Sequence, residues 1–448
     1  MRKKKIRKRD LDQLVNYVKT DAGRTFLTLV YVDEVENILN LHREGFTDDN
    51  LPIDFEESGE AFSSKNQLLD SQKYFPGWST LQKEMFEERQ WVFLAESISE
   101  STFWYKLYPK QPLPFNPLSD SNIGNGKLAA VYKIGVPNPN FNNVKSDGCH
   151  EVAVKCLDMP HDERESFFKI EGETLKKMRE LRHPHLIQAH AAYQRQNTMG
   201  FVFPFADGGN LYQLWTCSNP KTSPSVVSWA LMQMKGLADG VRALHNTGRL
   251  HGDIKPSNIL IFKQPKGEGK HLVIADIGLA KYYALYTREP YFSRRSQDSN
   301  RRYEPPEVAA QGLPLSRKHD LWSLGCVLLE FLIWLNSGVL GYKEFLTISK
   351  VDGKEARFWE AGSVRSVVTE YMASLKNKIE KRGQGYSALK DVLDLIRERL
   401  LVGADQRVDS THLFDELVRI QSQYLHVTEQ GIVSLEDSIQ FNSSLVEI

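Results

Sequence analysis

The segment from His251 to Ala280 constrains this chain of 448 residues more than any other. It reads His-Gly-Asp-Ile-Lys-Pro-Ser-Asn, continues as an apolar Ile-Leu-Ile, and ends in Ala-Asp-Ile-Gly-Leu-Ala, whose aspartate lies 18 residues after Asn258. Phosphoryl transfer needs a carboxylate that orients the attacking hydroxyl, cations beside the phosphates and oxygen ligands for magnesium. Residues of these types follow in order as Asp253, Lys255, Asn258 and Asp276. Each alone is ordinary in a loop, but the set predicts phosphoryl-transfer chemistry.

A glycine-containing loop and a strand lysine lie upstream of this segment. Residues 123–132 have the pattern G-x-G-x-x-A-x-V, in which Gly124 and Gly126 would let backbone amides approach phosphate oxygens. A tight hairpin would use the same glycines, so the loop alone leaves both interpretations open. The apolar run Val152–Val154 ends at Lys155, whose ammonium needs a partner if it is buried. Phosphates and a nearby carboxylate would supply that partner.

With these elements in this order, residues 118–422 resemble a eukaryotic protein kinase. The string Asp253–Asn258 is similar to that of the serine/threonine class. Tyr303–Glu307 resembles the A-P-E motif, and Asp320–Gly325 resembles the start of the central buried helix of the family. The detailed residue sequence of Phe203–Leu211, among other segments, resembles that of kinases of filamentous ascomycete fungi. The resemblance implies ATP and Mg²⁺ as cosubstrate and cofactor, and a protein as substrate.

The resemblance also implies roles for individual residues of this sequence. The catalytic group comprises the base Asp253, Lys255 at the γ-phosphate, Lys155 at the α- and β-phosphates, and its partner Glu171. Metal ligands would be Asn258 and Asp276. Contacts to ATP would come from Ile123, Gly124, Gly126, Ala129, Val131, Ala153, Lys155, the gatekeeper Phe203, Pro204 and Ala206. Structural roles would fall to His251, Ile277, Gly278, Asp320 and the pair formed by Glu307 and Arg407.

The carboxylate that pairs with Lys155 is ambiguous in the sequence. The usual spacing from His183-Pro184 falls on Thr174, which cannot form an ion pair. Glu171 shares a helical face with apolar residues four and seven positions later, whereas Glu173 is followed at plus four by a lysine. We therefore predict Glu171, with Glu173 as the alternative.

These features predict an α+β fold of the bilobal protein-kinase type. A small antiparallel sheet with one regulatory helix would form the N-lobe at 118–205, and helices would form the C-lobe at 206–425. A helical extension at 1–110, with an acidic surface loop near Asp48–Glu60, would precede them, and a polar tail at 426–448 would follow. The apolar periodicity around 11–18 and 26–39 predicts that the extension packs on the lobes or on a regulatory partner.

Departures from the family pattern bear on the activity. Gly252 stands where H-R-D kinases have arginine, Ile277 replaces the D-F-G phenylalanine, and Asn300 replaces a threonine. We expect a serine/threonine protein kinase, and the alternative is a pseudokinase that acts as an ATP-binding or interaction scaffold. A small-molecule kinase fits the Tyr303–Glu307 and Asp320–Gly325 elements less well.

Charge and cysteine content limit the partners and the compartment. Fifty-seven basic residues balance 57 acidic ones, so no chain-wide field for nucleic acid exists. The four cysteines have no metal-binding spacing and indicate reduced thiols.

The segment Leu321–Leu340 is long enough to span a bilayer, but Glu330 at its middle favours a buried core helix. We expect a cytoplasmic location, with nuclear import through the basic segment Met1–Arg9 as an alternative to a solvated tail.

Overall fold

The computed structural model divides the chain into two units. Its described residues are 8–65, 67–113, 122–125, 129–137, 149–220, 223–263, 269–277, 301–309, 316–351 and 354–430. The first unit comprises residues 1–125, 131–152 and 191–199, and the second comprises 126–130, 153–190 and 200–448. Both helices and sheets are present, so the predicted α+β class is confirmed.

The first unit begins with a helical module that has its own core. Its helices are α1 (Lys8–Thr20), α2 (Gly23–Tyr31), α3 (Ile38–Arg43), α4 (Ser71–Tyr74) and α5 (Thr80–Arg89). Aromatic side chains fill the core, with ring centroids 4.8–6.4 Å apart among Phe46, Phe55, Phe62, Phe75, Trp78 and Phe86. Because such rings bury much apolar area in edge-to-face contacts, this segment folds around its own core and is not a tail.

The predicted helical extension is confirmed, but the interpretation of its acidic stretch as a surface loop is wrong. The acidic stretch interpreted as a surface loop contains β1 (Ile53–Phe55), which pairs antiparallel with β2 (Ala61–Ser64), and β2 pairs with β3 (Gln67–Asp70). Phe55 lies opposite Phe62 in this ladder, and both side chains pack into the aromatic core. The acidic composition hid these alternating apolar positions.

The predicted apolar faces of the extension are only partly buried. On α1, Tyr17 is buried and Leu14 and Val18 pack against the core, but Leu11 and Val15 are exposed. The hydroxyl of Tyr17 donates to the carbonyl of Phe46, which anchors this helix to the core. Periodicity therefore located the helix but not the exact direction of its buried side.

A strand of the extension lies at the edge of the six-stranded sheet. This sheet contains β4 (Trp104–Leu107), β5 (Asn122–Asn125), β6 (Ala129–Pro137), β7 (Cys149–Leu157), β8 (Ala191–Arg195) and β9 (Thr198–Pro204), in the order β4-β8-β9-β7-β6-β5. Trp104–Leu107 runs parallel to residues 192–195, and the N–H of Ala192 donates to the carbonyl of Phe103 at 2.7 Å. A guanidinium N–H of Arg195 donates to the carbonyl of Gln111 at 3.2 Å. The extension thereby satisfies backbone groups of an edge strand.

The second unit is mainly helical. Its helices are α6 (His161–Leu181), α7 (Leu211–Cys217), α8 (Pro224–Asn246), α9 (Arg317–Ile348), α10 (Ser366–Glu380), α11 (Ser387–Leu395) and α12 (Ser410–Gln430). A two-stranded ladder joins β10 (Ile259–Lys263) and β11 (Lys270–Ile274), and shorter ladders pair β12 (Lys350–Val351) with β13 (Lys354–Glu355) and β14 (Trp359–Glu360) with β15 (Ser363–Val364). Helices α8 and α12 pack along each other.

The apolar segment identified in the sequence is the core helix α9. Among the described residues, this helix alone is long and apolar enough to cross a membrane by length and composition. Its side chains from Leu321 to Leu335 are buried within the second unit, as in the core helix of a globular protein. Glu330 at its middle is fully buried and pairs with Arg302 at 2.9 Å. A buried charge with a bound partner is compatible with a protein core.

Candidate active site

Lys155, near the end of β7, contacts two carboxylates. Its ammonium lies 3.0 Å from Oε1 of Glu171 and 2.9 Å from Oδ1 of Asp276. Burial lowers the pKa of Lys155, but the two carboxylates outweigh burial and raise its pKa above the ordinary value. The positive charge of Lys155 in turn lowers the pKa of Asp276. At neutral pH the site therefore holds a charged ammonium against a charged aspartate.

The register of α6 selects Glu171 over Glu173. Glu171, Leu175 and Met178 are buried on one face of this helix, whereas Glu173 is exposed. Oε2 of Glu171 is buried and has no hydrogen-bond partner among the described residues. The helix ends at Leu181, because the next residue, Arg182, has a left-handed backbone (φ 50°) just before His183-Pro184.

Asp253 is held by its neighbours in the predicted catalytic loop. The ammonium of Lys255 lies 2.9 Å from Oδ2 of Asp253, and the side-chain N–H₂ of Asn258 donates to the same oxygen at 3.1 Å and to the Asp253 carbonyl at 2.9 Å. His251 accepts the Asp253 N–H at Nδ1, so its Nε2–H donates to the Ala275 carbonyl at 2.8 Å. These bonds fix the position of the Asp253 carboxylate.

Asp320, at the start of α9, forms hydrogen bonds with the backbone of the predicted catalytic loop. Its carboxylate accepts the backbone N–H groups of His251 at 2.8 Å and Gly252 at 2.7 Å, and it lies 2.8 Å from Nε2 of His245. Burial alone would raise the pKa of Asp320, but the hydrogen bond with His245 and neighbouring groups hold it well below the ordinary value. Gly252 has φ of +74°, a conformation that glycine adopts without strain.

Asp276 and Asn258 each offer side-chain oxygen ligands, on segments joined by a backbone hydrogen bond. The N–H of Ala275, next to Asp276, donates to the Asn258 carbonyl at 2.8 Å. The carboxylate of Asp276 is about 42 % exposed, and the amide nitrogen of Asn258 is engaged by Asp253, which leaves its amide oxygen as the metal-binding atom. Carboxylate and amide oxygens suit Mg²⁺, which keeps several water or phosphate ligands. The two residues therefore fit a magnesium site.

The proposed ATP contacts fall in different parts of the chain. In the second unit, Phe203 and Pro204 end β9, and the Ala206 carbonyl accepts the Gly209 N–H at 3.2 Å in a turn. Ala129 is buried and Ala153 is half-buried. In the first unit, Ile123 and Gly124 on β5 are exposed and Val131 on β6 is half-buried. Gly126 and Gly278, like Asn300, lie outside the described residues.

Most of the predicted structural residues that the structure describes are buried in the second unit, and Glu307 is half-buried. Arg407 is fully buried and contacts both carboxylate oxygens of Glu307, at 2.6 and 3.2 Å, while its other N–H groups donate to backbone carbonyls. Ile277 is buried in the core, as an apolar replacement for phenylalanine can be. The apolar side chain at this position is therefore covered by other core residues.

Sequence reasoning missed a buried network around Glu330. Its Oε1 contacts Arg302 Nε at 2.9 Å, and its Oε2 accepts the hydroxyl hydrogens of Tyr303 at 2.8 Å and Tyr342 at 3.3 Å. Arg302 also donates to Ser349 at 2.9 Å, and its guanidinium lies 4.6 Å from the ring centre of Phe358. Glu330 was visible as a charge in an apolar run, but no local spacing pointed to Arg302.

Comparison with known proteins shows which family this fold belongs to. A family model described as the protein kinase domain matches residues 119–337. Residues 119–337 are a eukaryotic protein kinase domain. The predicted protein-kinase fold is thus confirmed, and the Lys155 and Asp253 clusters both lie in this kinase domain.

Relatives of the kinase domain come from several kingdoms. The chain is 28 % identical over 233 residues to serine/threonine-protein kinase PKH3 of Eremothecium gossypii, covering 50 % of this chain and 29 % of that protein. It is 27 % identical over 208 residues to mitogen-activated protein kinase kinase kinase 3 of Arabidopsis thaliana, covering 46 % and 31 %. With human serine/threonine-protein kinase ULK3 the identity is 28 % over 210 residues, covering 47 % and 40 %. The match thus spans roughly a third of the length of these relatives.

Proposed function

We propose that this chain is a protein kinase that transfers the γ-phosphoryl group of ATP to serine and threonine hydroxyls of proteins, with Mg²⁺. The observation that carries the proposal is the Lys155 ammonium, 3.0 Å from Glu171 and 2.9 Å from Asp276 in one kinase domain. A lysine held by the regulatory-helix glutamate, together with a metal-binding aspartate, is what phosphoryl transfer requires of this fold.

In the proposed reaction, the oxygen of a substrate hydroxyl forms a bond to the γ-phosphorus of ATP. The bond from that phosphorus to the oxygen that leaves with ADP breaks, and Asp253 accepts the hydroxyl proton. Lys255, 2.9 Å from Asp253, places a positive charge beside the group in transfer. Lys155 would bind the α- and β-phosphates. Mg²⁺, held by Asp276 and Asn258, would neutralise phosphate charge when bound.

The proposed preference for serine and threonine hydroxyls in the substrate rests on two observations. These are the residue pattern of Asp253–Asn258 and the relatives named as serine/threonine kinases. The same kind of evidence, the local residue pattern, supports a resemblance to kinases of filamentous ascomycete fungi. We further infer a cytoplasmic site of action, with nuclear import through the basic start as the alternative, and no nucleic-acid partner. We also infer a regulatory partner for the extension.

The test uses the purified full chain with Mg²⁺, radiolabelled ATP and myelin basic protein, followed by phosphoamino-acid analysis. We expect phosphoserine and phosphothreonine, and a loss of several orders of magnitude with Lys155→Met or Asp253→Asn, because positioning and charge supply most of the catalysis. Circular dichroism checks that the variants remain folded. Wild-type protein that binds ATP but transfers no phosphate would establish the pseudokinase instead, and full activity of both variants would refute the site assignment.

A further inference from the structure

The outward side of α2 is apolar. This helix buries Thr25, Thr28 and Leu29, while Leu27, Val30 and Tyr31 are exposed. The buried threonines are satisfied, since Thr25 Oγ1 donates to Asp48 at 2.8 Å and Thr28 Oγ1 donates to the Arg24 carbonyl at 2.8 Å. The core of the extension therefore uses Leu29 and, in part, Phe26 of α2, whereas Leu27, Val30 and Tyr31 face solvent.

Helix α5 repeats this arrangement beside α2. It buries Lys83 and Phe86, while Leu81, which is 64 % exposed, and Met85 lie one turn apart on the outside. A shallow pocket of about 380 Å³ on this surface is lined by Leu81, Met85, Arg89, Glu84, Glu87 and Glu88.

Two contacts join the exposed sides of the helices. The guanidinium of Arg89, one turn beyond Met85, lies 5.6 Å from the ring centre of Tyr31, and the side-chain amide of Gln82 donates to Glu34. We call the exposed side chains of Leu27, Val30, Tyr31, Leu81 and Met85 the α2–α5 face. Exposed apolar side chains clustered in this way mark interaction sites more often than scattered ones do.

The surroundings of the α2–α5 face are acidic. Residues 8–113 contain 11 basic and 19 acidic residues, a net charge of −8 in a chain whose total is zero. Acidic residues adjoin the face on α5 and on the segment that follows α2: Glu84 and Glu88, and Asp33, Glu34 and Glu36. A partner that covers the face must therefore bring positive charge around an apolar centre.

We propose that the α2–α5 face binds a basic amphipathic helix of a partner protein. Apolar residues one turn apart on two neighbouring helices match the apolar stripe of such a helix, and lysine or arginine beside that stripe would meet the acidic border. The same face of a second copy would bring the same acidic border, which would repel it. Residues 431–448 carry three acidic and no basic residues, and residues 1–7 offer only Met1 and Ile6 as apolar groups.

The test measures binding of a fluorescein-labelled 18-residue peptide to the full chain by anisotropy. The peptide has leucines at helical spacing and lysines elsewhere, and a matched peptide has glutamates in place of the lysines. We expect the lysine peptide to bind at least tenfold more tightly than the glutamate peptide, and its affinity to fall with added salt. Leu81→Asp and Tyr31→Asp should each weaken binding tenfold or more. Because these variants add negative charge, binding by charge alone would instead become tighter.

The matched control is Leu68→Asp, which changes a leucine of the same unit that is 63 % exposed but lies on β3. It should leave the affinity unchanged. Equal binding of both peptides, no binding of the lysine peptide, or equal losses with Leu68→Asp and Leu81→Asp would overturn the proposal. So would a wild-type dimer that Leu81→Asp dissociates in mass photometry, or peptide binding that appears only after deletion of residues 431–448.

Discussion

The ammonium of Lys155 lies 3.0 Å from Oε1 of Glu171, and the carboxylate two positions further along α6, Glu173, is exposed. Successive helix residues are separated by 100°, so a shift of two positions moves a side chain to nearly the opposite side. The helix can therefore present only one of these glutamates to Lys155.

Glu171→Gln should lower phosphate transfer at least tenfold, because the ammonium of Lys155 loses the charge that holds it in place. Glu173→Gln changes the same functional group on the solvent side of α6 and should leave transfer within about twofold, since exposed charges contribute little. Steady-state rates at saturating ATP, with thermal unfolding as a check on folding, measure both. Equal losses would mean that the register of α6 differs in the active protein.

The buried pair of Arg302 and Glu330 gives a prediction on stability. Removing one partner leaves the other charge buried and unpaired, so Arg302→Met should lower the free energy of unfolding by about 3 kcal/mol or more. The double variant Arg302→Met/Glu330→Leu should lose less than the sum of the single changes. Urea denaturation measures these values.

The control for this pair is Arg419→Met on α12, because Arg419 pairs with Glu416 at 2.8 Å while both side chains are about half-exposed. A change below about 1 kcal/mol is expected there. Additive losses at Arg302 and Glu330 would show that the two charges do not stabilise each other.

His185 should make the second unit sensitive to acid. Its Nδ1 lies 2.7 Å from the Leu272 carbonyl, and its ring packs so closely on α8 that a Cβ at Gly236 would overlap it. Burial, with His271 nearby, lowers the pKa of His185 from 6.5 to about 4. The unfolded chain therefore takes up this proton first, and stability is lost as the pH falls from about 6.5 to about 4, by about 3 kcal/mol in total.

Unfolding free energies measured by urea titration across this pH range test the assignment. His185→Gln cannot take up the proton, so its stability should fall less steeply between pH 6.5 and pH 4 than that of the wild type. His412→Gln, at an exposed position of α12, should keep the wild-type slope. An unchanged slope in His185→Gln would assign the acid sensitivity to other groups.

Basal activity should not depend on phosphorylation of the segment between Gly278 and Glu307. In H-R-D kinases an arginine binds the activating phosphate, but Gly252 stands there and its N–H is bound to Asp320. Near the end of the segment, Arg302 is already held by the buried Glu330. Simultaneous alanine substitution of the hydroxyl residues Thr287, Ser293, Ser296 and Ser299 should therefore change turnover less than tenfold.

The measurement is turnover on myelin basic protein, combined with phosphosite mapping of the wild type. A loss of tenfold or more, about 1.4 kcal/mol in the barrier, together with phosphate on one of these four residues, would contradict the prediction. Phosphorylation of this segment would then explain how the activity is regulated, without a role for the extension or its partner.

The sequence by itself determined the kinase fold, because phosphoryl transfer uses a small set of residue types in a fixed order. The spacing from Asp253 to Asn258 and on to Asp276, together with Lys155 upstream, could be read locally. The buried character of α9 and the helical face of Glu171 also followed from local apolar patterns. The catalytic roles of these residues stay predictions until the variants above are assayed.

Only the tertiary structure decided which residues meet across long stretches of chain. Arg302 and Glu330 are 28 positions apart, and β4 pairs with β8 over about 90 residues. Likewise, Leu27 and Leu81 lie outside while threonines of α2 lie inside, because Asp48 and a backbone carbonyl satisfy those hydroxyls. A helical period shows that a helix has two sides, but contacts with the rest of the chain decide which side is buried. That choice is a property of packing between distant segments, and it is what exposes the α2–α5 face.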